Sequence, residues 1–282
     1  MSAFLALLLQ VGPNPVAPPP GSEEDILNRP PRDNSAAEIT DPTAAWLAQC
    51  LEQLDEDASR AHTLAQIRRN ETSGADRVVA NHCLGLASTE LQLWDDARTA
   101  FIAARDETPA DELSARSRFS LMAGNAALAG GDAGAAKALL TAAQADASTA
   151  SSATLQALAA TDLARALVAL NEGEAALTAL ETATTLEPTK GEAWLLKATL
   201  LRRLERLDEA QAAIERAVEL APTEAQVGLE AGVIAVLSGR EDAARQSWQS
   251  VLDSQPDSLA AQTAKGYLDQ LGPAPEEETA NP

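Results

Sequence analysis

The chain has 282 residues, 45% hydrophobic, 3% aromatic and 22% charged, with a formal net charge of −21. Alanine is the main contributor to the hydrophobic fraction, and the β-branched and aromatic residues that half-buried strands require are scarce, which argues against an all-β fold. The abundant alanine, leucine, glutamate, glutamine and arginine are strong helix formers, so the class predicted is all-α. A net charge of this size and sign repels nucleic acid and anionic lipid, and no nucleic-acid partner is expected.

Residues 1–40 read as an apolar leader followed by a proline-rich linker. The run Ala3–Val11 has the length of a signal-peptide apolar region and is too short to span a bilayer, which takes about 20 residues. No Lys or Arg precedes Arg29, so the basic region of a signal peptide is missing. Two readings stay open: an export leader whose start lies upstream, which would place the protein in the periplasm, or an apolar end without structure and a cytoplasmic protein. From Gly12 to about Thr40, Pro, Asn, Asp and Ser recur without periodicity, as in a flexible linker.

From residue 41 to 272 the sequence is helical in pattern and repetitive. Segment 44–77 has helical periodicity and Trp46 but almost no recurring residues. Segment 78–111 holds Leu84-Gly85, Ala97, Phe101, Ala104 and Pro109. Segment 117–150 keeps Gly124, Ala136 and Leu140 but has no closing proline. Segments 157–190, 191–224 and 225–258 are in strict register: Pro188, Pro222 and Pro256 stand 34 residues apart, as do Ala176, Ala210 and Ala244. Four residues after each alanine comes a larger apolar side chain, Leu180, Ile214 or Trp248. Each segment reads as helix, polar turn, helix and proline stop. Short insertions follow Asp111 and Ala150. Residues 259–271 form a closing helix, and 273–282 an acidic tail around Glu276-Glu277-Glu278 with too little apolar surface to order itself.

This register resembles the tetratricopeptide repeat (TPR) pattern of W-x2-L-G-x2-Y, A-x3-F and a final P. Segment 191–224 matches through Trp194, Leu201, Ala210, Ile214, Ala217 and Pro222, departing at Lys197-Ala198. Segment 225–258 keeps Gly232, Ala244, Trp248 and Pro256, with Gly228 where an aromatic is expected. The resemblance implies a right-handed α-solenoid of helix pairs closed by a C-terminal capping helix. The signature has a physical reason: only Gly or Ala lets two helices cross at about 8 Å, and a larger group then fills the adjoining space. A pair has too little core alone, so stacked neighbours bury one continuous seam.

The sequence contains no Gly-rich phosphate loop, metal-ligand spacing or nucleophile elbow, so no enzyme activity, cofactor or metal is expected. Its only histidines are His62 and His82, and its only cysteines Cys50 and Cys83. A zinc site is disfavoured because adjacent helical residues such as His82 and Cys83 point about 100° apart. Two buried thiols are the expected state of the cysteines. The alternative is a disulfide, permitted by export, but helix axes 8–10 Å apart set against the ~6.8 Å limit on Cα separation argue against it. Trp46, Trp94, Trp194 and Trp248 fall at repeat positions and are expected in the core.

The resemblance implies a protein–protein interaction scaffold, with a peptide segment or partner protein held in a concave groove lined by first helices. The family's inward positions fall here on Arg118, Leu121 and Asn125, on Leu158, Thr161 and Arg165, on Leu195, Thr199, Arg202 and Arg203, and on Leu229, Val233 and Val236. The carboxylate clamp of some relatives is not reproduced, since Asp162 and Glu192 stand where amide and basic groups would be needed. Two readings of the arginines follow. Either they neutralise nearby Glu and Asp, or they receive the acidic end of a partner near Arg165, Arg202 and Arg203. Arg245, on a second helix, is expected at the surface outside this set. The alternative function is a structural or assembly component of a cell-envelope complex that packs edge-on, which an exposed apolar terminal repeat would favour. No membrane span is expected, and the sequence leaves the oligomeric state open.

Overall fold

The computed structural model describes residues 41–272, so the leader, the linker and the acidic tail lie outside the described residues. Within them every regular element is an α-helix: α1 (Pro42–Glu56), α2 (Ala58–Glu71), α3 (Ala75–Glu90), α4 (Trp94–Glu107), α5 (Leu113–Ala129), α6 (Ala133–Thr149), α7 (Ala153–Ala169), α8 (Gly173–Leu186), α9 (Gly191–Arg203), α10 (Leu207–Leu220), α11 (Ala225–Leu237), α12 (Glu241–Ser254) and α13 (Leu259–Leu271). Each helix packs on the next, and first helices also touch, α1 on α3, α5 on α7, α9 on α11 and α11 on α13. The fold is an all-α solenoid.

The helix ends follow from local chemistry. The side chains of Asp41, Asp57, Asp132, Ser152 and Ser258 accept from backbone N–H groups of the turns they begin, satisfying donors that a helix cannot pair internally. Pro109, Pro188, Pro222 and Pro256 each stand two residues beyond the last residue of a second helix. Lacking an N–H and disfavouring helix in the residue before it, proline stops the helix there. Inside the pairs from α3–α4 to α11–α12, the turns carry a residue with positive φ (Gln92, Gly131, Asn171, Glu205 and Gly239), whereas α1 and α2 are joined through extended Asp57.

The pair α5–α6 has no closing proline, and it leaves by another route. Ser151 takes φ 55°. Its N–H donates to Ser148 (3.0 Å) and that of Ser152 to Ala147 (2.9 Å). The turn inside the same pair is built identically, with Gly131 donating to Leu128 (3.0 Å) and Asp132 to Ala127 (2.9 Å). The link between two pairs has therefore taken the form of a link within one.

The close crossings occur where the small residues were expected. A Cβ built on Gly85 would meet the Phe101 ring, one on Gly124 would lie 2.6 Å from Leu140 Cγ, and one on Gly232 would collide with the Trp248 indole. Ala97, Ala136, Ala176, Ala210 and Ala244 have no solvent exposure. The largest cluster of buried side chains runs from Leu121 on α5 to Ile234 on α11, and a second joins Ala225, Trp248 and Val251 to Ala260, Ala261 and Ala264 of the closing helix. Second helices are also tied across pairs by ion pairs, Arg98 to Asp132 (2.9 Å) and Lys137 to Glu172 (2.6 Å).

Two expectations need correction. Cys50 and Cys83 are joined in a disulfide, with Cα atoms 6.4 Å apart, and are not free thiols. Axis separation overstates the distance between facing Cα atoms, because each lies about 2.3 Å off its own axis. The packing around the bond is also small: Ala61, Ala65 and Ala87 are fully buried beside it. The tryptophans divide as well. Trp248 is buried, whereas Trp46, Trp94 and Trp194 are half-exposed. The Arg68 guanidinium covers Trp46 at 4.7 Å, and the Lys197 ammonium lies 5.4 Å from the Trp194 ring.

Candidate functional site: the face of the first helices

First helices α5, α7, α9 and α11 carry the residues assigned to the groove, and the structure sorts them into three groups. Leu121 and Thr161 are buried, 7% exposed each, and Thr161 donates to the Ala157 carbonyl of its own helix (2.9 Å), so neither is offered to a ligand. Leu195, Thr199, Leu229, Val233 and Val236 are half-buried, while Leu158, Arg118, Asn125 and Arg203 are exposed.

The charged members form a relay across the helices. Asn125 on α5 donates to Asp162 on α7 (2.9 Å). Arg165, one turn further along α7, pairs with Asp162 and reaches Glu192 at the start of α9. Arg202 on α9 makes a two-point contact with Glu230 on α11, at 2.6 and 3.3 Å. Arg165 and Arg202 thus neutralise carboxylates of neighbouring helices. Arg118 and Arg203 have no carboxylate partner among the described residues.

Between α7 and α9 lies a pocket of 180 Å³. Ala164, Val168, Leu180, Leu196 and Leu200 give it an apolar lining, and Arg165, Thr199 and Arg203 supply its polar groups. The sequence reading found the polar residues and missed Val168 and Leu196. Each stands one turn from a residue it did name, Arg165 and Thr199, which was the available signal. A second, 410 Å³ groove lies between α11 and the closing helices, lined by Val233, Val236, Leu237, Trp248, Tyr267, Gln270 and Leu271. Arg245 is not a simple surface residue: it donates to the carbonyls of Leu271 (3.2 Å) and Gly272 (2.6 Å), closing the end of α13.

Titratable groups with perturbed behaviour lie away from this face. Thr43 and Arg68 hydrogen bonds hold the Asp76 carboxyl below its usual range, and Arg77 does the same for Glu107. Burial lowers the pKa of His82, whose ring meets Phe119 edge-on at 5.4 Å. Both thiols are consumed in the disulfide and leave no sulfur to ligate a metal. No helix among the described residues is long and apolar enough to cross a membrane.

Stacked helix pairs, glycine or alanine at each crossing and a continuous face of first helices define a helical-repeat solenoid. Residues 161–225 match the family model of the tetratricopeptide repeat, and the stacked helix pairs on either side of them continue the same architecture. Among solved structures it is similar to PilW, a widely conserved type IV pilus biogenesis factor, at 16% identity over 79% of this chain and 98% of that one, with a TM-score of 0.64. It is similar to pilF of Pseudomonas aeruginosa at 15% identity over 80% and 97%, TM-score 0.61. YrrB, a TPR protein with an unusual peptide-binding site, aligns at 19% identity over 77% and 97%, TM-score 0.50. None of the curated proteins matches the chain in sequence.

Proposed function

We propose that the protein is a non-catalytic interaction scaffold that holds a segment of a partner protein against the face of its first helices. The pocket between α7 and α9 carries this reading. It has an apolar lining for one side chain, and Arg203 at its edge is a cation that no carboxylate of the described residues neutralises, in a chain of net charge −21. The ligand is a short extended segment with an apolar side chain in the pocket and a carboxylate at Arg203. Leu229 and Val233 continue the apolar surface toward α11, and Arg118 offers a second exposed cation on α5. Arg165 and Arg202, already paired, shape the face and are not the anchor. The resemblance to YrrB, a TPR protein with an unusual peptide-binding site, supports the same use of the fold. Selection of binders from a displayed random-peptide library supplies the probe. A charge-assisted hydrogen bond is worth roughly 1.5–3 kcal/mol, so Arg203→Ala should weaken a selected peptide about tenfold or more. Arg216→Ala, on α10, is the control. Equal affinities for the two variants remove Arg203 as the anchor.

A second reading, an assembly component of a cell-envelope complex that packs edge-on, has two observations behind it. Leu51, Leu64 and Ile67 of the first helix pair are exposed, which leaves an apolar surface on a terminal repeat. The Cys50–Cys83 bond is favoured in an oxidising compartment, as the periplasm is. The similarity to PilW, a type IV pilus biogenesis factor, fits this location. Fractionation of native cells tests it: a cytoplasmic protein with both thiols free would end the envelope reading.

A further inference from the structure

The first helix pair carries a groove of 380 Å³ bounded only by α1 and α2, with Trp46, Gln49 and Gln53 on one side and Arg60, Leu64, Ile67 and Glu71 on the other. Leu64 is 42% exposed and Ile67 48%, and Arg60 and Glu71 are exposed at either end of the same stripe. A repeat array ordinarily ends in a unit with a polar outer face, and α13 closes the other end of this one. The steps from Arg60 to Leu64, Ile67 and Glu71 are four, three and four residues, which keeps all four on one side of the helix.

The order of these residues identifies what covers them. Arg60 and Glu71 are placed symmetrically about the midpoint between Leu64 and Ile67. If a second α2 is laid antiparallel on the first, Leu64 of each copy meets Ile67 of the other. Arg60 of each copy then meets Glu71 of the other. A two-fold interface of this kind needs one self-complementary patch, and the stripe has both the apolar centre and opposite charges at the matching ends. We propose that α2 is the contact of a homodimer, with two copies paired antiparallel through Leu64 and Ile67 and closed at each end by an Arg60–Glu71 ion pair. The proposal takes up the edge-on reading and names its partner as a second copy of this chain. One helix face buries less than the ~800 Å² per partner of a standard interface, so the flanking α1 residues contribute and the dimer is reversible.

Sedimentation equilibrium of the full chain under oxidising conditions tests this. The wild type should show a concentration-dependent monomer–dimer equilibrium, and Ile67→Glu should abolish it. Arg60→Glu and Glu71→Arg should each weaken the dimer about tenfold, since both symmetry-related pairs are lost at once, and the double exchange should restore it. All these side chains are exposed, and circular dichroism confirms that each variant stays folded. A wild type that remains monomeric, a dimer untouched by Ile67→Glu, or a double exchange that fails to rescue would each overturn the pairing. Cell fractionation tests the edge-on envelope reading separately, so the two can fail independently.

Discussion

Gly232 on α11 faces Trp248 on α12, and the indole fills the space that a Cβ on residue 232 would occupy. The ring also donates through Nε1 to the Leu229 carbonyl (3.1 Å) and lies 5.1 Å from Tyr267 of the closing helix. One aromatic side chain thus joins the last repeat to its cap. Gly232→Ala should destabilise the protein by about 1–3 kcal/mol through overpacking, and Trp248→Ala by about 3–5 kcal/mol through the cavity left. In the double variant Gly232→Ala/Trp248→Leu the losses should be less than additive, because the smaller side chain makes room for the methyl group. Urea midpoints of the wild type, Gly232→Ala, Trp248→Leu and the double variant decide it. Strict additivity would show that the clash is absorbed elsewhere.

This relationship was legible in the sequence, as were Gly85 with Phe101 and Gly124 with Leu140. Each pairing follows from a fixed offset within one repeat, and helix geometry turns that offset into a contact. Contacts between repeats were less legible. Arg202 reaches Glu230 and Arg165 reaches Glu192 across helices whose relative rotation no periodicity specifies. The sequence therefore left open whether the groove arginines are paired or free, and the fold gives Arg165 and Arg202 carboxylate partners. The disulfide was disfavoured for a related reason: spacing placed Cys50 and Cys83 at one height, but the closeness of facing Cα atoms depends on the alanines around them.

The bond ties down a largely exposed part of the array. Its neighbours Ala61 and Ala65 are the only fully enclosed residues of α2, and much of that helix is exposed. Linking residues 33 apart should stabilise the first pair by about 3–4 kcal/mol on the chain-entropy account. Amide exchange in 44–77 should be the fastest within the array, exchange in 191–258 the slowest, and reduction should accelerate the former selectively. Uniform protection before and after reduction would mean that the array unfolds as one block.

His82 gives stability a pH dependence of known sign. Burial against Phe101 and Phe119 lowers its folded-state pKa below the ordinary value of 6.5. The unfolded chain then binds the proton more readily, so stability is complete above about pH 6.5 and falls as pH drops toward the folded pKa. Asp76, Glu107, Asp132 and Glu209 also have lowered pKa values, and their contributions are lost only in the more acidic carboxylate range. Between pH 6.5 and 5 the wild type should lose stability and His82→Leu should not. Parallel urea midpoints for the two proteins across that interval would rule out the histidine.

Glu205 and Ser151 occupy left-handed backbone at φ 60° and 55°, where a side chain is strained and glycine is not. Glu205 stands inside a pair, where the next repeat has Gly239 (φ 73°) at the equivalent turn. Ser151 stands between pairs, where proline-terminated links follow α4, α8, α10 and α12. A left-handed residue costs roughly 1–2 kcal/mol, partly offset by the greater freedom that glycine brings to the unfolded chain. Both Glu205→Gly and Ser151→Gly should therefore raise stability by up to about 1 kcal/mol. Ser151→Pro should lower it by considerably more, because the proline ring fixes φ near −65° and the Ser151 N–H that donates to Ser148 would be lost. Thermal or urea unfolding of the three variants separates these cases. If Ser151→Pro is as stable as the wild type, the junction between α6 and α7 does not depend on the left-handed turn, and a proline-terminated link would serve there as it does after α4, α8, α10 and α12.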